Sequence, residues 1–138
     1  MKPYNPGGHS AYQSTVIANL SNYYPDPSVH TAQTRDIMNR FYLKDLSDVD
    51  IRLADQYSKF GPKPRLPSCM LRSLLLSLEF HIPSITRWVS AMRSTPLYAI
   101  LSGFDPDDTP GIGTFMDFID RLWDSNEDNL NPHAHAPK

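Results

Sequence analysis

An apolar spacing that recurs in full three times between Ser68 and Trp123 constrains this chain more than any other feature. Leu71, Leu74, Leu75 and Leu78 stand at i, i+3, i+4 and i+7, and Ile85, Trp88, Val89 and Met92 repeat the pattern. Phe115, Phe118, Ile119 and Leu122 repeat it again, followed by Trp123. Such spacing lines one face of a 3.6-residue helix and does not fit the two-residue alternation of a half-buried strand. Leu97, Ile100 and Leu101 add a shorter helix, opened by Pro96 and closed by Gly103, positions that suit those two residues. Ser68, Ser84 and Thr114 are the expected N-caps of the three longer helices. Four helices sharing one core are the expected result.

Shorter helices are expected in front of this core. Val16 to Leu20 precedes the turn Pro25-Asp26-Pro27, and Thr34 to Tyr42 places Ile37 and Met38 one turn from Phe41 and Tyr42. Ser47-Asp48-Val49-Asp50 resembles a capping box with an acid in the last place, which predicts a helix to about Lys59 with Val49, Leu53 and Tyr57 along one edge. Residues 1–12 read as a flexible arm, 13–60 as front helices and 61–67 as a proline-rich connector. Residues 68–124 read as the helical core and 125–138 as a polar, flexible tail or linker. The fold class is therefore all-α, a compact multi-helix domain with flexible ends; 138 residues suffice for one core.

The formal net charge of -2 conceals a division along the chain. From Lys59 to Arg93 six basic residues face one acid, Glu79; from Gly103 to Asp128 eight acids face one base, Arg121. Such asymmetry steers an anionic partner toward one face and away from another. The lone Cys69 has no partner for an internal disulfide and, beside Met70 and Leu71, reads as a buried thiol in a reducing compartment. The first residues lack the apolar run of a signal peptide, and no apolar stretch nears the ~20 residues of a membrane span. A cytoplasmic protein without a membrane partner is expected, nucleoid-associated if bacterial.

Motifs for catalysis are incomplete. Asp117, Asp120 and Asp124 share one helical face, whereas two-metal chemistry needs carboxylates converging from different elements; a solvated face is the simpler reading. Asp105-Pro106-Asp107-Asp108 begins like a calcium loop, but Thr109, Pro110 and Met116 occupy the positions of the third acid, the glycine and the closing glutamate. Pro110-Gly111-Ile112-Gly113-Thr114 precedes a helix but lacks the lysine of a P-loop, so a tight turn is favoured. His133 and His135 sit in the tail without metal-ligand spacing to other donors, and Cys69, His9, His30 and His81 carry no nucleophile signature. A hydrolase hidden by unfamiliar spacing is the remaining enzymatic alternative, and it requires acids or histidines to meet in a cleft.

Three linked blocks carry a family resemblance. The first is Pro67-Ser68-Cys69-Met70-Leu71-Arg72-Ser73-Leu74-Leu75-Leu76; the second runs from Ile82-Pro83-Ser84-Ile85-Thr86-Arg87-Trp88 through Met92-Arg93 to Leu97-Tyr98-Ala99-Ile100-Leu101-Ser102-Gly103-Phe104. The third, and most specific, is Asp108-Thr109-Pro110-Gly111-Ile112-Gly113-Thr114-Phe115-Met116-Asp117-Phe118-Ile119-Asp120-Arg121-Leu122-Trp123. In order and spacing they resemble the N-terminal helical domain of insertion-sequence DDE transposases, over less than half of the chain.

The resemblance implies a helix-turn-helix-like C-terminal half that binds the terminal repeats of a mobile element and positions a separate DDE catalytic domain. The strand-rich catalytic domain, and with it any divalent metal, is expected elsewhere; no catalytic, metal or cofactor residue is assigned in this chain. The last helix is acidic and ill suited to a DNA groove, so the expected phosphate contacts are Lys59, Lys63, Arg65, Arg72, Arg87 and Arg93. The alternative is a protein-interaction or dimerisation module in which the helix from Phe115 to Trp123 meets another domain or a second copy, and an exposed Trp123-centred patch is its expected mark.

Overall fold

The computed structural model describes residues 8–53 and 65–130, the side chains of 124–130 excepted. Among these residues the chain is all-helical, with seven α-helices and no strand. They are α1 Gly8–Tyr23, α2 Ala32–Leu43, α3 Ser47–Arg52, α4 Pro67–Glu79, α5 Ile85–Ser94, α6 Pro96–Ser102 and α7 Ile112–Leu130, with one 3-10 turn at Pro27–Val29. No helix among them is long and apolar enough to cross a membrane.

The four expected core helices are α4 to α7. Ser84 caps α5 by accepting a hydrogen bond from the Arg87 N–H, and Pro96 and Gly103 bracket α6 as expected. Two expected caps are not caps. Ser68 and Thr114 lie inside the first turns of α4 and α7, which begin at Pro67 and Ile112. The front of the chain is more ordered than its sequence suggests: α1 begins at Gly8 and buries Tyr12 and Val16, so the second half of the expected arm is helix. At the other end, α7 continues to Leu130 although its apolar periodicity stops near Asp124. The expected extension of α3 to Lys59, the rest of the connector and the tail beyond residue 130 lie outside the described residues.

The short helix α6 is the hub. It packs against α1, α2, α4 and α5, and Leu97, Ala99, Ile100, Leu101 and Ser102 are all buried. A helix apolar on every side is stable only when surrounded. Gly103 ends it with φ 104°, donating its N–H to Ala99 and Ile100, and a Cβ there would stand 2.7 Å from the Cys69 sulfur.

The buried face of α4 corrects the leucine template. Leu71, Leu74 and Leu75 are half-buried against the core and Leu78 is 59% exposed, while Cys69, Met70, Arg72, Ser73, Leu76 and Ser77 point inward. The small serines let neighbouring helices approach and stay hydrogen-bonded. The Ser73 hydroxyl accepts from Trp88 Nε1 at 2.8 Å, and the Ser77 hydroxyl donates to the Leu74 carbonyl at 2.7 Å. A buried polar residue so satisfied costs little, but hydrophobic periodicity does not register it. At the end of α4, His81 takes φ 62°, a left-handed position where glycine is the usual occupant.

Urea unfolding should separate these two backbone positions. Gly103→Ala meets both the left-handed strain and the Cys69 sulfur and should lose about 2 kcal/mol or more. His81→Gly should gain up to about 1 kcal/mol by relieving its backbone.

Candidate functional site

The six expected phosphate-contacting cations do not form one patch among the described residues. Lys59 and Lys63 lie outside them. Arg65 is committed to its own fold: its guanidinium donates to the carbonyl and carboxylate of Asp108 at 2.7 and 3.0 Å and lies 5.6 Å from the Phe104 ring centroid. Its side chain is 27% exposed, and it ties the entry of α4 to the loop before α7. Arg87 and Arg93 are exposed on α5. Six helical residues turn through roughly 600°, so they point about 120° apart.

Arg72 corrects the expectation most sharply: it is 2% exposed. One turn after the small Ser68, its side chain passes into the core, where the guanidinium lies over the Tyr12 ring with 3.7 Å from its carbon to the ring centroid. A desolvated cation over an aromatic face is stabilising. Arg72 Nη1 also donates to the Ser102 carbonyl at 3.4 Å and approaches the Cys69 sulfur at 3.8 Å. Tyr12 is fixed in turn by its hydroxyl, which donates to the Leu101 carbonyl at 2.7 Å across 89 residues of sequence. The α1–α4–α6 junction is thus built around a buried positive charge.

A buried acid stands on α3. Asp50 is buried, and its carboxylate accepts from the Ser68 N–H at 2.7 Å and the Ser68 hydroxyl at 2.8 Å. This is N-capping supplied from another helix. The residue before α4, Leu66, has no side chain able to cap, and Asp50 takes the role while placing an anion at the positive end of the helix. The capping-box pattern therefore contains a capping acid, but for a different helix. At the start of α3 itself, Asp45 accepts from the Ser47 N–H and hydroxyl. Burial holds Asp50 above the ordinary carboxylate range, against the opposing pull of the Ser68 bonds and of Arg72. Burial likewise pushes up the Cys69 thiol and the Tyr12 phenol.

No family model, curated protein or solved structure matches this chain. Its functional surfaces therefore rest on the residues themselves.

Among the described residues no group of three or more His, Cys, Asp or Glu side chains could hold a metal ion. In the calcium-like loop, Asp105 accepts from the Asp107 N–H at 2.9 Å, and Asp108 faces Arg65. Asp117 and Asp120 are exposed on α7, the solvated face expected of them; the side chain of Asp124, like His133 and His135, lies outside the described residues. Phe115 and Phe118 are the buried side of α7. Beside that face runs a second apolar line, Ile112, Met116 and Trp123, all exposed, Trp123 to 64%. Separations of four and seven residues keep the three on one stripe, bordered by the exposed Asp117 and Asp120.

The sequence reading missed Tyr12 as the partner of Arg72 and Asp50 as the cap of α4. An aromatic at the end of a polar arm and an acid within a capping pattern were their only local signals.

The pH dependence of this cluster has a definite sign. A carboxylate whose folded pKa is raised contributes most below its unfolded pKa, and that contribution is lost as pH rises through the folded value. Asp50→Asn should flatten this loss, measured as the urea midpoint against pH. Arg72→Met should cost about 2 kcal/mol or more by removing the guanidinium from the Tyr12 ring and the Ser102 carbonyl. The double variant should lose less than the sum of the two, because the groups are electrostatically coupled.

Proposed function

We propose that this chain is the DNA-binding helical part of a mobile-element transposase, which holds the element's terminal repeats and positions a separate DDE catalytic domain. The supporting observation is that the three blocks resembling that family pack as one unit. Met70 and Leu76 of the first, Trp88, Leu97, Leu101 and Phe104 of the second, and Phe115 and Phe118 of the third all belong to one buried cluster. The likeness thus falls on residues that hold a domain together, as a likeness between domains should. Arg87 and Arg93 are the described members of the expected phosphate-contacting set that remain free to serve; they act with Lys59 and Lys63. Arg65 and Arg72 serve the fold instead.

Fluorescence anisotropy with terminal-repeat and scrambled duplexes across a salt series tests this reading. The repeat duplex should bind more tightly, and each phosphate contact removed by Arg87→Glu or Arg93→Glu should reduce the salt slope by about 0.9. Equal binding of both duplexes by a chain folded by circular dichroism, unaffected by either charge reversal, would sink it.

A second reading is favoured by the exposed Trp123 stripe: contact with another protein domain through α7. It is compatible with the first, since a DNA-holding part must also engage the catalytic part. Trp123→Asp should abolish capture of the catalytic domain, or self-association in sedimentation, without altering the circular dichroism spectrum. Full retention of both would remove α7 as the contact.

A further inference from the structure

We propose that the cavity enclosed by the start of α1, the start of α3 and the first turns of α4 is a binding site for a small oxyanion, a phosphate or carboxylate group. The cavity has a volume of about 160 Å³, and His9, Tyr12, Ser47, Ser68, Cys69 and Arg72 are among its lining residues. It stands apart from the DNA and α7 surfaces and does not depend on either.

Two side chains ask for a ligand here. Arg72 is almost fully buried, and its Nε–H has no acceptor. Among the described residues its hydrogen bonds leave from Nη1, at 3.4 Å to the Ser102 carbonyl and 3.8 Å to the Cys69 sulfur. A guanidinium carries five N–H donors, and the one on Nε is buried and unspent. The second is His9. Its ring stacks on Tyr12 at 5.8 Å between centroids, and both ring nitrogens are secluded from solvent without a hydrogen-bond partner. Native structures rarely leave such groups bare, and an ion or water is the usual missing partner.

Charge selects among occupants. Arg72 brings a full positive charge, and His9 brings two ring nitrogens without partners. Asp50 is the nearby acid, but both of its oxygens already hold Ser68, and burial disfavours its charged form. Asp45 is bound to Ser47 at the rim. Tyr12 and Cys69 are kept neutral by burial, and Arg72 itself faces both. A cation would be repelled, and an apolar group would leave the donors unsatisfied. A compact acceptor with negative charge answers both Arg72 and His9, in the manner of charge-assisted hydrogen bonds to oxyanions.

The test is thermal unfolding of the full chain in chloride buffer of constant ionic strength, titrated with inorganic phosphate and, separately, with acetate. Tm should rise by several degrees with the logarithm of ligand concentration once the site is filled, and the His9 ring resonances should shift with the same midpoint. A response to phosphate alone identifies a tetrahedral ligand; a response to acetate as well identifies a carboxylate. His9→Phe keeps the ring on Tyr12 but removes both nitrogens, and should lose the rise; Arg72→Lys keeps the charge but not the fork, and should weaken it. An equal rise in His9→Phe, or no rise above the chloride control in the native chain, means water or an adventitious ion only, and overturns the proposal.

Discussion

A guanidinium lying on a tyrosine ring inside a helical bundle sets the terms for the rest of this molecule. Arg72 cannot be left in an apolar interior without partners, so elements converge on it: α1 brings Tyr12 and α6 brings the Ser102 carbonyl, while Asp50 of α3, held by Ser68, acts on it through space. Each contact satisfies a polar requirement and fixes a helix position together. The Tyr12 hydroxyl reaches the Leu101 carbonyl only if α1 lies along α6, and Asp50 reaches Ser68 only if α3 meets the start of α4. Hydrophobic burial alone is non-directional and tolerates slippage; these polar contacts specify one arrangement. Their directionality is what makes a single packing out of several apolar faces.

Much of the architecture was readable because it depends on local rules. The spacing of Ile85, Trp88, Val89 and Met92 leads to a helix whose inner face is Trp88, Val89 and Met92, since that stretch places its largest apolar residues on one side. Pro96 and Gly103 bracket α6 for reasons contained in their own backbones. In α4 the same template selected Leu71, Leu74, Leu75 and Leu78, yet the helix is surrounded and its innermost positions include serines and an arginine. Whether a polar residue is buried depends on partners distant in the chain: Trp88 for Ser73, Tyr12 for Arg72, Asp50 for Ser68. Periodicity contains no information about them.

The same limit governs the binding residues. Counting cations between Lys59 and Arg93 gave a basic stretch, but charge along a chain is not charge on a face. Arg65 and Arg72 were absorbed into the fold because planar guanidinium groups bridge carbonyls, carboxylates and rings well; Arg87 and Arg93, on the outer side of α5, were not. Conversely, Trp123, which follows the apolar template of α7, lies on its flank, leaving an apolar stripe beside an acidic one. The all-α class was legible from the sequence; the choice of surface residues was not, because it depends on how the helices turn about their axes when they meet.

The 89-residue span between Tyr12 and Leu101 has a consequence for where this unit could be cut. The stretch from Pro67 to Trp123 looks self-contained in the sequence, yet without α1 it would present a bare guanidinium and the unclad side of α6 to water. The N-terminal helix is therefore a wall of the domain and not an appendage to it. An excised piece starting at the proline-rich connector would lack one side of its own interior, and chains that retain α1 are the smallest that keep it closed.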